Sequence, residues 1–515
     1  MANFSVIDEF HMHRDARFLR IAESLKPELT RTAVSPVGLS VNTGDSWEPI
    51  EGLPDRTFKR GGRIALDFGD HQVGYITLEL GYTGSHPDAP AYLRLRFAER
   101  LCELEEDTEA YDGWLGKGWL QEERIHVDAL PCSLSLPRRY AFRYLEIQVI
   151  DVSPKYALMI RSAAVRAVTS AGKAVPPLET GDALIDRIDR VSLRTLQNCM
   201  QSVFEDGPKR DRRMWLGDFR LQAKVNYLTF QNFGLARRCL YLFAGLTFNE
   251  GNIPACLFLE PQPEPDDTYL FDYAMLYVPA LLDYYEATGD RETLTDLYPT
   301  AIRQLEIGLS FLNQDGILPD HSGEFWCFVD WGDSLNTQAA SLAILIYAMT
   351  QGKALAEQMG DADRVSRLEE RIKILRENAL AVFWDGNLGL FVSGHERQVS
   401  WATQVWMVLA GVLPLEQGRI LFHRAAAHPG ILPMVTPYMM HHFIEALTNL
   451  GEKAEAMSEL RRYWGGMILE DADTFWEVYH PGHPNESPYG SMSLNSYCHA
   501  WSCTPAYFLR KFFLG

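Results

Sequence analysis

The pattern of apolar positions changes character once along the chain. Between about residues 30 and 170, apolar residues come in short runs broken by glycine and by His/Asp turns: Ile64 to Phe68, Tyr75 to Leu80, Tyr144 to Val149 and Ala157 to Val165. Tyr92 to Phe97 alternates leucine with arginine, the period of two that turns one face to a core and the other to water. Short strands separated by turn residues predict an antiparallel β-sandwich. Ser170 to Asp182 is small, polar and proline-containing and reads as a linker. Beyond Asp182 apolar residues recur at i, i+3 and i+4, the helical period. The expected fold is therefore multidomain α and β. A front sandwich with its leading segment and linker spans 1–175, and a helical domain spans 176–515.

About twelve helices are expected, at 183–202, 218–231, 234–247, 267–288, 290–313, 334–358, 361–383, 398–411, 415–425, 436–450, 452–467 and 491–511. The links before the odd-numbered helices are short: Asn232–Phe233, Gly289, Met359–Gly360, Val412–Pro414 and Gly451. Those before the even-numbered helices are long: 203–217, 248–266, 314–333, 384–397, 426–435 and 468–490. Short links make antiparallel helix hairpins. Six hairpins closed in a ring form an (α/α)6 barrel with every long loop at the same end. An open α-solenoid uses the same hairpins, but no fixed repeat length is visible.

Composition narrows the partners. A chain of 515 residues with 47% hydrophobic residues can bury more than one core. Its formal net charge of -20 repels phosphate backbones, so neither nucleic acid nor an anionic membrane is an expected partner. Neutral sugars are untouched by that argument, and a homo-oligomer remains open. The eight cysteines are scattered without CxxC spacing, which speaks against zinc or a disulfide framework and for free thiols in a reducing cytoplasm. The N-terminal residues lack the apolar run of a signal peptide, and no stretch reaches the roughly 18 apolar residues of a membrane span. His11 and His13 have no acidic partner at useful spacing, and His441, His442 and Glu445 sit on an expected helix where packing explains them. No phosphate loop or Ser–His motif occurs, so no metal and no cofactor is expected.

Candidate chemistry concentrates in the long loops. The first places carboxylates at Asp206, Asp211 and Asp218 among Lys209, Arg210, Arg212, Arg213 and Trp215. Read alone, this is equally a charged surface loop whose Asp218 caps the next helix. The last loop sets Glu477 among Phe475, Trp476 and Tyr479, surroundings that raise a carboxylate's proton affinity. The third offers Trp326, Asp330, Trp331 and Asp333. A glycosidase needs such a set. One carboxylic acid protonates the leaving oxygen, and one carboxylate activates water on the other face of the sugar. Aromatic faces pack the ring while acids and arginine bind its hydroxyls.

The run Asp206-Gly207-Pro208-Lys209-Arg210-Asp211-Arg212-Arg213-Met214-Trp215-Leu216-Gly217-Asp218 resembles the signature of the α-L-rhamnosidases of glycoside hydrolase family 78. So do Val329-Asp330-Trp331-Gly332, Thr436-Pro437-Tyr438, Thr474-Phe475-Trp476-Glu477, His499 and the Tyr284 to Asp290 segment. In the front half Asp67-Phe68-Gly69, Gly74-Tyr75 and Phe142 to Glu146 are similar to the sandwich that precedes the barrel in that family. The resemblance implies an inverting hydrolase acting on terminal α-L-rhamnose. It implies Glu477 as general base, and Asp206, Arg210, Asp218, Asp330 and His499 on sugar hydroxyls, with Trp215 and Trp331 lining the pocket. Many members carry Arg-Asp-Glu-Arg with the Glu as acid. This chain has Arg210-Asp211-Arg212 in a loop one residue shorter, so Asp211 is the implied acid, one methylene short. The family's C-terminal β-domain has no counterpart before Gly515, which suggests small glycosides or oligosaccharides as substrates. The alternatives are a non-catalytic sugar-binding protein on the same scaffold, and a glycosidase for another sugar or an unsaturated uronide.

Overall fold

The computed structural model describes residues 10–43, 47–53, 56–320, 326–332 and 334–514. In the front domain the alternating residues do what their period demands. Strand Arg63–Gly84 pairs with Gly38–Asn42 and Tyr140–Asp151 along its first part and with Tyr156–Thr169 along its second. One hydrogen-bonded antiparallel network thus bends around a single core, into which Ile64, Leu66, Ile76, Leu78, Leu93, Leu95, Ile147 and Leu158 point. The strands Ala91–Ala98 and Glu122–Val127 pair at one edge and are joined by a long excursion, residues 99–121.

The leading segment was expected with this front domain and packs on the helical one instead. Strand Met12–Arg14 pairs with Leu246–Phe248, and helix Ala16–Ser24, capped by Asp15, buries Ala22 in the helical core.

The helices from the first, Ala183–Cys199, to the eleventh, Lys453–Leu469, follow the expected order within a few residues. The even-numbered ones, such as Leu216–Leu228 and Gln338–Met359, are buried on nearly every side, while odd ones such as Ala362–Phe383 bury one stripe. Gln338–Met359 is long and apolar enough to cross a membrane, but 78% of its apolar window is buried inside this fold. The inner helices pack in sequence from Leu216–Leu228 through Phe271–Thr288, Gln338–Met359, Trp401–Leu409 and Pro437–Asn449, and the turn Ala500–Ser502 returns to the first. The ring is closed, which rules out the open solenoid.

The twelfth helix differs from expectation. Residues 491–511 form 3₁₀ turns at Met492–Leu494 and Ala500–Ser502, then a short helix Pro505–Phe508 and a π turn. Backbone pairing explains why. Glu477 N–H donates to Ser496 O (3.0 Å), His499 N–H to Phe475 O (2.9 Å) and Ala500 N–H to Asp206 O (2.9 Å), bonds a helix would have used internally.

The closing segment is clamped to the opening helix by Arg510, whose guanidinium makes two bonds to Asp189, one at 2.9 Å; that carboxylate is fully buried. Removing one member of a buried pair strands the other charge. Arg510→Met should therefore lower unfolding free energy by about 3–5 kcal/mol in urea denaturation. A loss under about 1 kcal/mol would show that the ring closes without this clamp.

Candidate active site

Loop 200–215 reaches its shape through close approach. A Cβ on Gly207 would stand 2.6 Å from Ser496 Oγ and 2.8 Å from Arg210 O, so only glycine lets the 491–499 segment lie against this turn. Arg213 N–H donates to Asp206 Oδ1 (3.1 Å) and Asp206 N–H to Arg213 O (3.0 Å), tying the loop's ends together. Arg212 adopts a left-handed backbone, φ 58°, and its side chain leaves the site to bond Arg139 O in the front domain (2.8 Å). Asp211 and Arg213 are left on the cavity side.

The cavity holds about 410 Å³, the size of a small-ligand pocket. Asp206, Arg210, Asp211, Trp215, Asp218, Trp331, Glu477 and His499 all line it, so the structure brings together all but one of the expected residues. The exception is Asp330. Its carboxylate accepts from the backbone N–H of Trp331, Val435 and Thr436 and from the Thr436 hydroxyl (2.6 Å), which makes it a brace between two loops. Asp333 lies outside the described residues.

Glu477 is buried and bridged to Asp211 by one side chain. Arg210 Nη2 bonds Glu477 Oε2, and its Nη1 stands 3.2 Å from Asp211 Oδ1. Tyr489 donates its hydroxyl to Glu477 Oε1 (2.5 Å) and offers its ring face to the guanidinium at 4.1 Å. The sequence neighbour expected to surround Glu477 points away: Trp476 is 1% exposed and packs on Arg100, Tyr479 and Tyr497.

Asp218 lies in the first helical turn without capping it, since the cap position belongs to Trp215. Its Oδ2 accepts from the Tyr273 hydroxyl (3.3 Å) and its Oδ1 stands 3.6 Å from His499 Nδ1. His499, expected two turns into a helix, is extended just before a 3₁₀ turn. Among the described residues Asp218 Oδ1, His499 Nδ1 and Trp331 Nε1 are buried without a partner. Polar side chains at a cavity wall with bonding capacity to spare are what a polyhydroxylated ligand can engage.

Protonation separates the acids. Burial, then the charges of Asp211 and Asp218, pushes the Asp206 carboxyl well above the ordinary range. Burial does the same to Asp218, with Glu477 and Asp211 adding to it. For Asp211 burial is outweighed by Arg210 and Arg213, which hold it below its ordinary value. A general acid at Asp211 calls for a raised pKa, which Asp206 and Asp218 would favour and the arginines oppose; the arginines prevail. Burial and Arg210 bring His499 down to about 3, so it is neutral and can both donate and accept.

Trp114, Leu115, Trp119, Tyr273, Tyr489 and Trp501 also line the cavity and were not singled out in the sequence. Two tryptophans in the glycine-rich stretch Gly113 to Trp119, with no core period around them, were the available signal. Elsewhere, His441, His442 and Glu445 are close enough together to hold a metal, but Lys224 engages Glu445 at 3.3 Å and adds positive charge there. His13 bonds Asn249 O (2.6 Å) at the surface.

Residues 39–167 match the family model of the glycosyl hydrolase family 78 alpha-rhamnosidase N-terminal domain. Residues 174–512 match that of the bacterial alpha-L-rhamnosidase six-hairpin glycosidase domain. The chain is similar to a rhamnosidase from Klebsiella oxytoca with rhamnose bound, at 45% identity and a TM-score of 0.94, covering 98% of this chain and 100% of that one. A GH78 family rhamnosidase of Bacillus sp. GL1 shares the fold at 23% identity and a TM-score of 0.75, over 90% of this chain and 47% of that one. The Streptomyces avermitilis α-L-rhamnosidase complexed with L-rhamnose does so at 16% identity and a TM-score of 0.64, over 94% of this chain and 44% of that one. No curated protein matches the chain.

The raised pKa of Asp218 has a stability consequence with a definite sign. The folded value lies above the unfolded one, so the penalty is absent in acid and grows as pH rises through the folded pKa. Asp218→Asn should stabilise the protein by about 0.5–2 kcal/mol near pH 8, less near pH 4, and should weaken sugar binding. Thermal melts at both pH values check it; a loss of stability at the higher pH would contradict the assignment.

Proposed function

The chain belongs to glycoside hydrolase family 78, the α-L-rhamnosidases, and on that premise we propose that it removes terminal non-reducing α-L-rhamnose from small glycosides or oligosaccharides with inversion. One observation carries the reading. Two carboxylates, Asp211 and Glu477, share one guanidinium in a cavity lined by polar side chains and tryptophans that suit a sugar. Retention needs the two carboxyl groups about 5–5.5 Å apart, close enough for direct attack, whereas inversion needs room for a water between sugar and base.

In this scheme Glu477 takes the proton of that water while Asp206, Asp218, His499 and Trp331 hold the ring hydroxyls. The leaving oxygen draws its proton from the Asp206–Asp211 pair. Asp206 stores it, because burial favours its neutral form, and Asp211, the more exposed of the two, delivers it. Trp215 and Trp331 flank the sugar. Eight unpaired cysteines support a reducing compartment, the cytoplasm. No nucleic acid, membrane or cofactor enters the scheme.

Glu477→Gln should cut turnover of an aryl α-L-rhamnoside by about 10²–10⁴-fold while leaving rhamnose binding measurable by calorimetry. Asp211→Asn should harm a rhamnosyl disaccharide more than an aryl rhamnoside, because only the former needs full protonation of its leaving group. Near-normal disaccharide turnover by Asp211→Asn, with loss in Asp206→Asn, would move the acid to Asp206. Because the stored proton must be present, activity should fall as pH rises through the folded pKa of Asp206.

A further inference from the structure

Two β-strands paired as Ala91–Ala98 and Glu122–Val127 are can be joined by a turn of about 2–5 residues. Here residues 99–121 intervene, and the excursion crosses to the helical domain. Its base is held from within by Arg96, whose guanidinium donates to the carbonyls of Glu103 (2.7 Å), Leu104 (2.8 Å) and Glu106 (2.9 Å). Its far side is pinned by the Glu106 carboxylate, which accepts from Ser491 Oγ (2.8 Å), Met492 N–H (3.2 Å) and Ser493 N–H (2.8 Å). Tyr111 and Leu120 then form a small apolar core with Tyr489 and Leu494 of the catalytic domain. A long connection fastened this thoroughly is a built element.

Its tip enters the cavity. Trp114, Leu115 and Trp119 line it, and the arm contributes no charged side chain there. Trp114 is 52% exposed, whereas Trp501 on the catalytic domain is 4% exposed. The Trp114 ring lies 5.7 Å from that of Tyr489, which in turn holds Glu477 and meets the Trp331 ring at 6.3 Å. The cavity therefore has a buried, charged end and an open lip that is apolar on the arm's side, with Arg213, Asp266 and the exposed Asp267 of the helical domain also lining it. The scissile bond lies at the charged end, so the lip is left to the leaving group.

We propose that this arm of the front domain forms the leaving-group subsite, with Trp114 as its stacking surface, and that it selects a flat aryl group joined directly to rhamnose. The inference rests on the hydrolase reading above. A second pyranose would present hydroxyls on its edges, and the arm offers them only indole and leucine side chains. An aryl ring needs faces to stack on. The acid points the same way: a phenol, with a pKa of about 10, leaves with less protonation than a sugar alcohol, and the arginines beside Asp211 favour its ionised form, which has no proton of its own to give.

The test is the selectivity ratio, kcat/KM for phenyl α-L-rhamnoside over kcat/KM for methyl α-L-rhamnoside, in the full-length protein. Trp114→Ala should lower that ratio about tenfold, through KM more than kcat, and Trp114→Phe should restore most of it. Trp119→Ala should lower it in the same direction. Equal losses on both substrates would reduce the arm to a structural prop, and an unchanged ratio in both alanine variants would place the aglycone elsewhere; either overturns the subsite while leaving the hydrolase reading intact. Turnover of neither substrate by the unaltered protein would remove the hydrolase reading and this subsite with it.

Discussion

The site depends on one buried cation. Arg210 is 5% exposed, and a guanidinium removed from water must find anions and acceptors at once. It finds Glu477, Asp211 and the carbonyl of Leu494 (3.0 Å), with Tyr489 across its face. Those partners come from the first and last long loops of the barrel, so the ends of the helical domain meet at this side chain. The same charge sets the protonation pattern. It holds the Asp211 carboxyl below its ordinary value and adds to the burial that keeps His499 neutral, while burial and the neighbouring acids hold Asp206 well above its ordinary range.

Arg210 is in turn placed by its neighbour. Lys209 is 1% exposed, and its ammonium donates to Glu103 Oε2 (2.5 Å) and Asn495 O (2.8 Å) and lies 3.6 Å from Glu99 Oε2. Both carboxylates belong to the front domain. Glu99 also accepts from Tyr497 N–H (2.6 Å) and pairs with His71 (2.9 Å). A charge cluster buried between two domains tolerates no loose docking, because each unpaired member would carry its full desolvation penalty. The front domain is thus part of the active site twice over, through the clamp on Lys209 and through the arm that carries Trp114.

Much of this was legible in the residues. The alternation of Tyr92 to Phe97 and the unequal links between helices are local signals, and both produced the elements they implied. Asp206, Asp211 and Glu477 lie in loops the hairpin pattern had already put at one end, and Asp218 lies in the helical turn that follows the first of them. What failed was decided by partners distant in sequence. Residues 491–511 have helical spacing, yet Ser496, His499 and Ala500 pair with loops that end elsewhere. Asp330 has the chemistry of a sugar ligand, but backbone N–H groups of Val435 and Thr436 take its oxygens. Trp476 adjoins Glu477 in the chain and packs away from the cavity, while Tyr489, twelve residues on, supplies the ring and the hydroxyl. No periodicity in one domain reveals that an arm of the other enters its pocket.

The most direct test of the account is the stereochemistry of the sugar as it is released. Hydrolysis of an aryl α-L-rhamnoside followed by proton NMR in its first minutes distinguishes a water delivered across the ring from a covalent intermediate. Glu477 acting as a base on water predicts β-L-rhamnose first, with the α anomer growing in only through mutarotation. α-L-Rhamnose as the first product would contradict the arrangement and make Glu477 a nucleophile.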